Sequence, residues 1–103
     1  LETAEHRHWR DYRVIVNAAA YTAVDRAETD EGRRAAWVVN VAGTTALART
    51  ARENGLTLVH ISSDYVFDGT GVRPYIETDP VSPLSVYGQT KAAADAIAST
   101  VDS

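Results

Sequence analysis

The fold is decided by Val14-Ile15-Val16-Asn17-Ala18-Ala19-Ala20, a short apolar and β-branched run without polar alternation. Such a run is typical of a parallel strand that is buried on both faces. A second run of this kind, Leu56-Thr57-Leu58-Val59-His60-Ile61-Ser62, follows a long segment with helical periodicity. Strand, helical crossover and strand form a βαβ unit, so we expect the two strands to be parallel and the crossover to be right-handed.

The crossover helix is predicted between about residue 30 and residue 54. Thr29 is a suitable N-cap, and Gly55 is a suitable C-terminal stop. Gly32 and Gly43 lie inside the segment and weaken a helix, so we expect it to be irregular or broken near them.

The rest of the chain is predicted as loops and one further helix. Residues 1–13 are polar and charged, which is typical of a loop or the end of a helix. Residues 65–84 carry all three prolines and two of the glycines, and a loop of this length is usually functional. The last helix begins near Ser85, which can cap it, and extends to about residue 100.

The composition is that of a globular protein, and it excludes several classes. The 103 residues are 45% hydrophobic and 23% charged, with a net charge of −4 and no cysteine. Disulfides, thiolate catalysis and cysteine-ligated zinc are therefore excluded. The arginines are scattered among acids and form no basic stripe for nucleic acid, and no apolar run reaches the roughly 18 residues of a membrane helix. We expect a cytoplasmic protein without nucleic-acid or membrane partners.

One pair of residues carries a chemical signal. The only lysine, Lys91, follows Tyr87 by four residues. On a helix this spacing places both side chains on one face, about 5–6 Å apart at Cβ. A neighbouring ammonium favours the phenolate, which would make the tyrosine a usable proton donor or acceptor near neutral pH. The alternative is an ordinary pair on a helix surface.

Both predicted strands end in small or polar residues, at the edge where α/β sheets bind ligands. The small side chains after Asn17 would let a flat cofactor approach the backbone, and the hydroxyls of Ser62 and Ser63 could donate to a carbonyl oxygen. The helix with Tyr87 and Lys91 follows one loop later. Three elements are therefore expected to converge on one site.

Several polar residues also have structural interpretations. Ser63 could end the strand or cap a turn, and Asp64 could make an Asx-type turn. Asn17 and Asn40 are interpreted as backbone-bonding residues, and His60 as a packed strand histidine. We predict no metal site, because the acids around residues 25–31 are favoured by the helix macrodipole.

Together these residues resemble the extended short-chain dehydrogenase/reductase superfamily, whose hallmark is a Tyr-x-x-x-Lys helix after a strand that ends in Ser or Thr. Val16–Glu28, Val59–Gly69 and Pro83–Lys91 are similar, in order, to the dTDP-4-dehydrorhamnose reductase family. The resemblance implies an α/β fold, a partial Rossmann-type doubly wound parallel sheet built from the βαβ unit and the Tyr-x-x-x-Lys helix. Residues 1–103 would be the central part of a single NAD(P)-binding domain.

The resemblance also implies a reaction, the reduction of dTDP-4-dehydro-L-rhamnose to dTDP-L-rhamnose with NADPH or NADH. Tyr87 would donate a proton to the C4 oxygen, Lys91 would lower its pKa and hold the nicotinamide ribose, and Ser63 would polarise the ketone. Ser63 stands where the family usually has threonine, and it keeps the hydroxyl. Ser63 and Asp64 would contact the sugar. The cofactor would be lined by Ala19, Ala20, Tyr21 and Thr22 together with Tyr87 and Lys91.

Two parts of the family pattern have no counterpart in the sequence. The Gly-x-x-Gly-x-x-Gly turn that binds the cofactor pyrophosphate is absent, and so is the C-terminal region that forms most of the nucleotide-sugar pocket. We therefore expect the isolated chain to show little turnover and little affinity for NADPH. The oligomeric state stays open, with a homodimer as one expectation.

Two alternatives remain at this point. The regulatory subunit of methionine adenosyltransferase resembles these reductases and is a non-catalytic binding module, although intact Ser63, Tyr87 and Lys91 argue against it. Another nucleotide-sugar epimerase or dehydratase would share the Tyr-x-x-x-Lys motif, but residues 64–69 are more similar to the reductase.

Overall fold

Two strands and three α-helices form the fold in a computed structural model that describes residues 7–71 and 73–101. The elements are β1 (Val14–Asn17), α1 (Asp30–Ala36), α2 (Gly43–Asn54), β2 (Thr57–His60) and α3 (Val86–Ala98). Short 3-10 turns lie at Trp9–Asp11, Arg26–Glu28 and Asp64–Val66, and a π-helical turn lies at Trp37–Ala42. Residues 1–6 of the polar stretch predicted as a loop or helix end are outside the described residues.

The two strands pair in parallel, as the apolar runs predict. The register joins Val14 to Thr57 and Asn17 to His60. Both strands are shorter than predicted, since β1 ends at Asn17 and β2 at His60. Asn17 then bonds locally, since its Oδ1 accepts from the Ala19 N–H at 3.3 Å. The α/β fold with a parallel βαβ unit is confirmed.

The expectation that the strands are buried on both faces is wrong. Ile15 is 7% exposed, whereas Val14 and Val16 on the other face are 48% and 63% exposed. Val59 on β2 is 42% exposed on the same open face. The helices of the described chain cover only one face of the sheet. Every second residue of the apolar run is therefore buried, although the hydropathy of the run does not alternate.

Local signals determine where the helices begin and end. Thr29 caps α1, because its Oγ1 accepts from the Gly32 N–H at 3.0 Å. Gly55 ends α2 in the left-handed region with φ of 67°, as glycine without a Cβ readily does. Ser85 caps α3 by accepting from the Gly88 N–H at 3.0 Å. The three predicted helix signals are confirmed.

The crossover is irregular directly before Gly43, as predicted, but regular at Gly32. Gly32 lies within regular α1, where its missing Cβ leaves room for the Arg26 carbonyl. The irregularity is the π turn at Trp37–Ala42, which ends before Gly43. A π turn widens the helix by one residue and is frequent at functional sites. In this chain it presents the side chain of Asn40 inward.

Two apolar clusters form the core, one between the sheet and a helix and one between helices. The first packs β1 against α2 and contains Ile15, Leu47, Ala51 and Leu56. The second packs the start of α3 against α1 and contains Ala27, Ala36, Val86 and Tyr87. Within the described ranges, none of the helices is long and apolar enough to cross a bilayer.

Candidate active site

The start of α3 is held at a defined position. Ser85 caps it, and the backbone N–H of Val86 donates to Glu28 Oε1 at 2.8 Å. The next residues place Tyr87 and Lys91 on the inner face of the helix, where they are 7% and 3% exposed. The two residues are therefore not a pair on the helix surface.

Lys91 is directed at the end of β2. Its Nζ donates to the Ile61 carbonyl oxygen at 2.8 Å. An ammonium has three N–H donors, so two remain for other partners. Burial lowers the pKa of Lys91, and the charge of Asp95 opposes this effect. The lysine is thus an anchored cation at the carboxyl edge of the sheet.

Tyr87 packs against a second tyrosine. The rings of Tyr87 and Tyr65 meet edge to face, with centroids 5.6 Å apart and planes at 85°. This approach requires Gly88, because a Cβ there would collide with the Tyr65 carbonyl oxygen. The loop after β2 is therefore packed directly on the helix that carries Tyr87.

Ser63 has the capping role that the sequence allowed. Its Oγ accepts from the Tyr65 N–H at 3.1 Å and caps the turn Asp64–Val66. A hydroxyl accepts through its lone pairs and donates through its proton. The cap therefore orients Ser63 without using the proton that polarisation of a ketone requires.

Asp64 is exposed at the mouth of a cavity of about 440 Å³. The Asx-type turn of this loop is made by Asp68 instead, whose Oδ1 accepts from the Thr70 N–H at 3.0 Å. Phe67 and Tyr75 stack across the cavity wall with centroids 4.2 Å apart. The cavity is lined by Asp64, Tyr65, Phe67, Asp68, Gly69, Tyr75, Leu84 and Ser85.

The loop after β1 is fastened by a buried asparagine. Asn40 is 1% exposed, its Oδ1 accepts from the Tyr21 N–H at 2.8 Å, and its Nδ2 donates to the Tyr21 carbonyl at 3.2 Å. The same Nδ2 donates to Thr90 Oγ1 on α3 at 2.9 Å. Asn40 thus joins the predicted cofactor loop to the helix of Tyr87 and Lys91, which agrees with its structural interpretation.

Sequence reasoning missed a second polar cluster beside Lys91. His60 is not simply packed, because its ring contacts Asn17 and Asp95, with Nε2 3.3 Å from Asp95 Oδ1. Burial lowers the pKa of His60, Lys91 lowers it further, and Asp95 opposes both. The available signal was the four-residue spacing from Lys91 to Asp95, which puts both on one helix face.

The structure thus brings Tyr87, Lys91 and Ser63 to one edge of the sheet, with the loop of Ala19, Ala20, Tyr21 and Thr22 at the neighbouring strand end. In the described part of the chain, no group of three or more His, Asp or Glu residues could hold a metal ion. The arrangement offers a proton donor, an anchored cation and a hydroxyl donor together.

Comparisons with known proteins identify the family of the chain. The family model described as the RmlD substrate binding domain matches residues 2–101. A dTDP-4-dehydrorhamnose reductase from Salmonella typhimurium is 52% identical over 82 residues, which are 80% of this chain and 27% of that protein. The chain therefore spans about a quarter of the length of this curated relative.

Solved structures show the same similarity. A dTDP-4-dehydrorhamnose reductase from Clostridium acetobutylicum superposes with a TM-score of 0.87 at 36% identity, over 97% of this chain and 35% of that one. The Bacillus anthracis reductase in complex with NADP gives a TM-score of 0.81 at 35% identity, over 88% and 32%. With a family model that matches nearly its whole length, the chain belongs to the RmlD substrate binding domain family.

Proposed function

We propose that the chain is the central part of an NAD(P)-binding domain that reduces the C4 ketone of dTDP-4-dehydro-L-rhamnose to give dTDP-L-rhamnose. One observation supports this most: α3 buries Tyr87 and Lys91 together, with the lysine anchored to the Ile61 carbonyl. The substrate comes from the names of the relatives, and a nicotinamide cofactor from the NADP complex of one of them.

NADPH or NADH would supply the hydride that is added to C4. The residues present fit the nicotinamide end, because Lys91 keeps two N–H donors for ribose hydroxyls. The loop of Ala19, Ala20, Tyr21 and Thr22 offers small side chains and a backbone fastened by Asn40. These residues would line the cofactor.

Tyr87 would complete the reduction by protonating the C4 oxygen. As the carbonyl π bond breaks, its electron pair moves to that oxygen, which takes the phenol proton and becomes an alcohol. The ammonium of Lys91 stabilises the phenolate that remains. The Ser63 hydroxyl donates to the same oxygen and stabilises its developing charge, and Asp64 at the cavity mouth would contact the sugar.

The test is a grafted reductase, defined as the Salmonella typhimurium relative with its matching 82-residue segment replaced by that of this chain. We expect it to oxidise NADPH in the presence of dTDP-4-dehydrorhamnose. Tyr87→Phe should lower kcat by about 10²–10⁴-fold, the usual range for loss of a general acid. Tyr65→Phe, which removes a neighbouring phenol hydroxyl, is the matched control and should cost far less.

Two results would count against the proposal. Unchanged kcat in a folded Tyr87→Phe variant excludes this tyrosine as the proton donor. A grafted reductase that folds and binds NADPH but does not turn over favours the non-catalytic binding module. Circular dichroism and thermal unfolding establish folding in each case.

The isolated 103-residue chain should bind NADPH weakly and turn over little. The sequence lacks the glycine-rich turn that would place a helix N-terminus at the pyrophosphate. Calorimetric titration of the chain with NADPH measures this directly, and a low-micromolar dissociation constant would contradict the expectation.

A further inference from the structure

The Ile61 carbonyl, which accepts a hydrogen bond from Lys91, lies between two residues that both contact Asp95. His60 and Ser62 flank Ile61, and alternate residues of an extended chain point to the same side. Ser62 Oγ donates to Asp95 Oδ2 at 2.5 Å, and His60 Nε2 lies 3.3 Å from Asp95 Oδ1. The first contact is a hydrogen bond, whereas the second is an electrostatic contact that is not aligned as a hydrogen bond. The two carboxylate oxygens thus hold the chain on either side of Ile61.

His60 is oriented from its other side by Asn17. The amide oxygen of Asn17 accepts from the Ala19 N–H at 3.3 Å, so its Nδ2 is the group that faces His60. That Nδ2 lies 3.2 Å from His60 Nδ1 and also donates to Thr44 Oγ1 at 3.3 Å. Because Nδ1 accepts, the imidazole proton is on Nε2, the ring nitrogen that lies nearer to Asp95.

We propose that Asp95 is a positioning residue, which holds the end of β2 so that the Ile61 carbonyl receives the Lys91 ammonium. Asp95 follows Lys91 by one helical turn, so one helix carries both the cation and the carboxylate that fixes its acceptor. The importance of Lys91 for reduction rests on the proposed function. The contacts that orient Lys91 are independent of that function.

The charges around the lysine agree with this role. Among the described residues, the ionisable groups that interact with the Lys91 ammonium are Asp95 on α3 and His60 on β2. Burial lowers the pKa of Lys91 and the Asp95 carboxylate counteracts this, while its hydrogen bond to Ser62 keeps the carboxylate in place. Asp95 therefore acts on both the direction and the charge of the lysine.

The test uses the fact that Lys91 is the only lysine of the chain. The 103-residue protein with ¹³C at lysine Cε gives a single side-chain resonance, whose pH titration reports Lys91 alone. Asp95→Asn keeps the shape and removes the charge, and we expect its titration midpoint to move to lower pH. Asp95→Glu keeps a carboxylate and should return the midpoint most of the way.

A matched variant separates positioning from general support of α3. Thr90→Val removes the uncharged side-chain link from α3 to Asn40, so it should lower the unfolding temperature without moving the Lys91 midpoint. Ser62→Ala removes one contact of Asp95 and keeps its charge, and it should shift the midpoint in the same direction as Asp95→Asn, by less. If Asp95→Asn shows no unfolding transition, and is therefore not folded, the Lys91 titration midpoint of Ser62→Ala is used instead. A midpoint that is unchanged from that of the unsubstituted protein overturns the proposal.

The catalytic consequence is measured in the grafted reductase. We expect Asp95→Asn to lower kcat about tenfold, since small displacements of an oriented group are costly, with a smaller change in KM. Asp95→Glu should recover most of the loss. If Asp95→Asn shifts the Lys91 midpoint but the unsubstituted grafted reductase has no activity, the positioning of Lys91 stands and the proposed reduction fails. If Asp95→Asn shifts the midpoint and leaves kcat unchanged, Asp95 has a structural role only.

Discussion

The two faces of the β1–β2 sheet are not sorted by hydropathy, because the covered face buries polar side chains beside Ile15 and the open face leaves apolar ones exposed. The covered face includes Asn17, which is 4% exposed, and His60, whose side chain is 8% exposed. The open face carries Val16 and Ile61, which are 63% and 52% exposed. Polar groups can be buried when each finds a partner, and apolar groups are left exposed where no helix of the described chain lies over them. Burial in this molecule is therefore set by the placement of the helices.

The largest effect is expected where the loop after β2 touches α3. Gly88→Ala would push a methyl group into the Tyr65 carbonyl, and we expect a loss of about 3 kcal/mol in the free energy of unfolding. Urea denaturation of the 103-residue chain measures it. Gly69→Ala is the contrasting change, since its Cβ would meet open space and only its φ of 78° would be strained. A smaller loss for Gly88→Ala than for Gly69→Ala would show that the loop does not pack closely on α3.

A smaller loss is expected from the buried asparagine of the π turn. Asn40→Ala leaves the Tyr21 backbone groups without their partner and should cost about 2 kcal/mol. Val38 lies in the same π turn and is 64% exposed, so Val38→Ala should cost less than about 0.5 kcal/mol. Denaturation of both variants under the same conditions gives the comparison, and equal losses would contradict the difference between buried and exposed positions.

The third prediction concerns acid. Because the folded state lowers the pKa of His60 below its usual value of 6.5, the unfolded state binds more protons just below that pH. Stability is then fully present above pH 6.5 and declines as the pH falls through this window. The pKa values of Asp68 and Asp79 are also lowered, by hydrogen bonds from Thr70 and from Arg73, but their contribution is lost only below their usual 3.8.

Thermal unfolding measured from about pH 7.5 down to about pH 2.5 separates the two windows. His60→Gln should flatten the decline that begins below pH 6.5 and leave the decline below pH 3.8 in place. A decline of the same slope in His60→Gln would assign the acid sensitivity to another group.

The smallest effect is expected on the open face. Val16→Thr and Val59→Thr keep β-branching and change only exposed surface, so each should alter the free energy of unfolding by less than about 0.5 kcal/mol. The matched change on the covered face, Ile15→Thr, should be much more costly because Ile15 is 7% exposed in the first apolar cluster. Urea denaturation of the three variants checks the contrast.

Much of the local structure could be predicted from the sequence, because short-range chemistry determines it. Thr29 and Ser85 cap helices through bonds to N–H groups three residues away, and Gly55 adopts a left-handed conformation that glycine allows. Tyr87 and Lys91 share a helix face for a similarly local reason. These features depend on neighbours within one helical turn.

What could not be predicted depends on residues far apart in the chain. Asn17 meets His60 across 43 positions, and Asn40 meets Thr90 across 50, so neither pair leaves a periodic pattern. The open face of the sheet was missed because an apolar run indicates a strand but not how many of its faces are covered. Gly43 indicated an irregular crossover, but a glycine does not reveal that the irregularity is a π turn.

The burial of Lys91 makes this residue a reporter of local unfolding. An amine-reactive reagent can reach a side chain that is 3% exposed only when α3 separates from β2. Because Lys91 is the only lysine of the chain, acylation of a lysine side chain reports this opening alone. The rate of acylation, followed by mass spectrometry against the rate for an unfolded control, would give the free energy of opening at the point where the site is assembled.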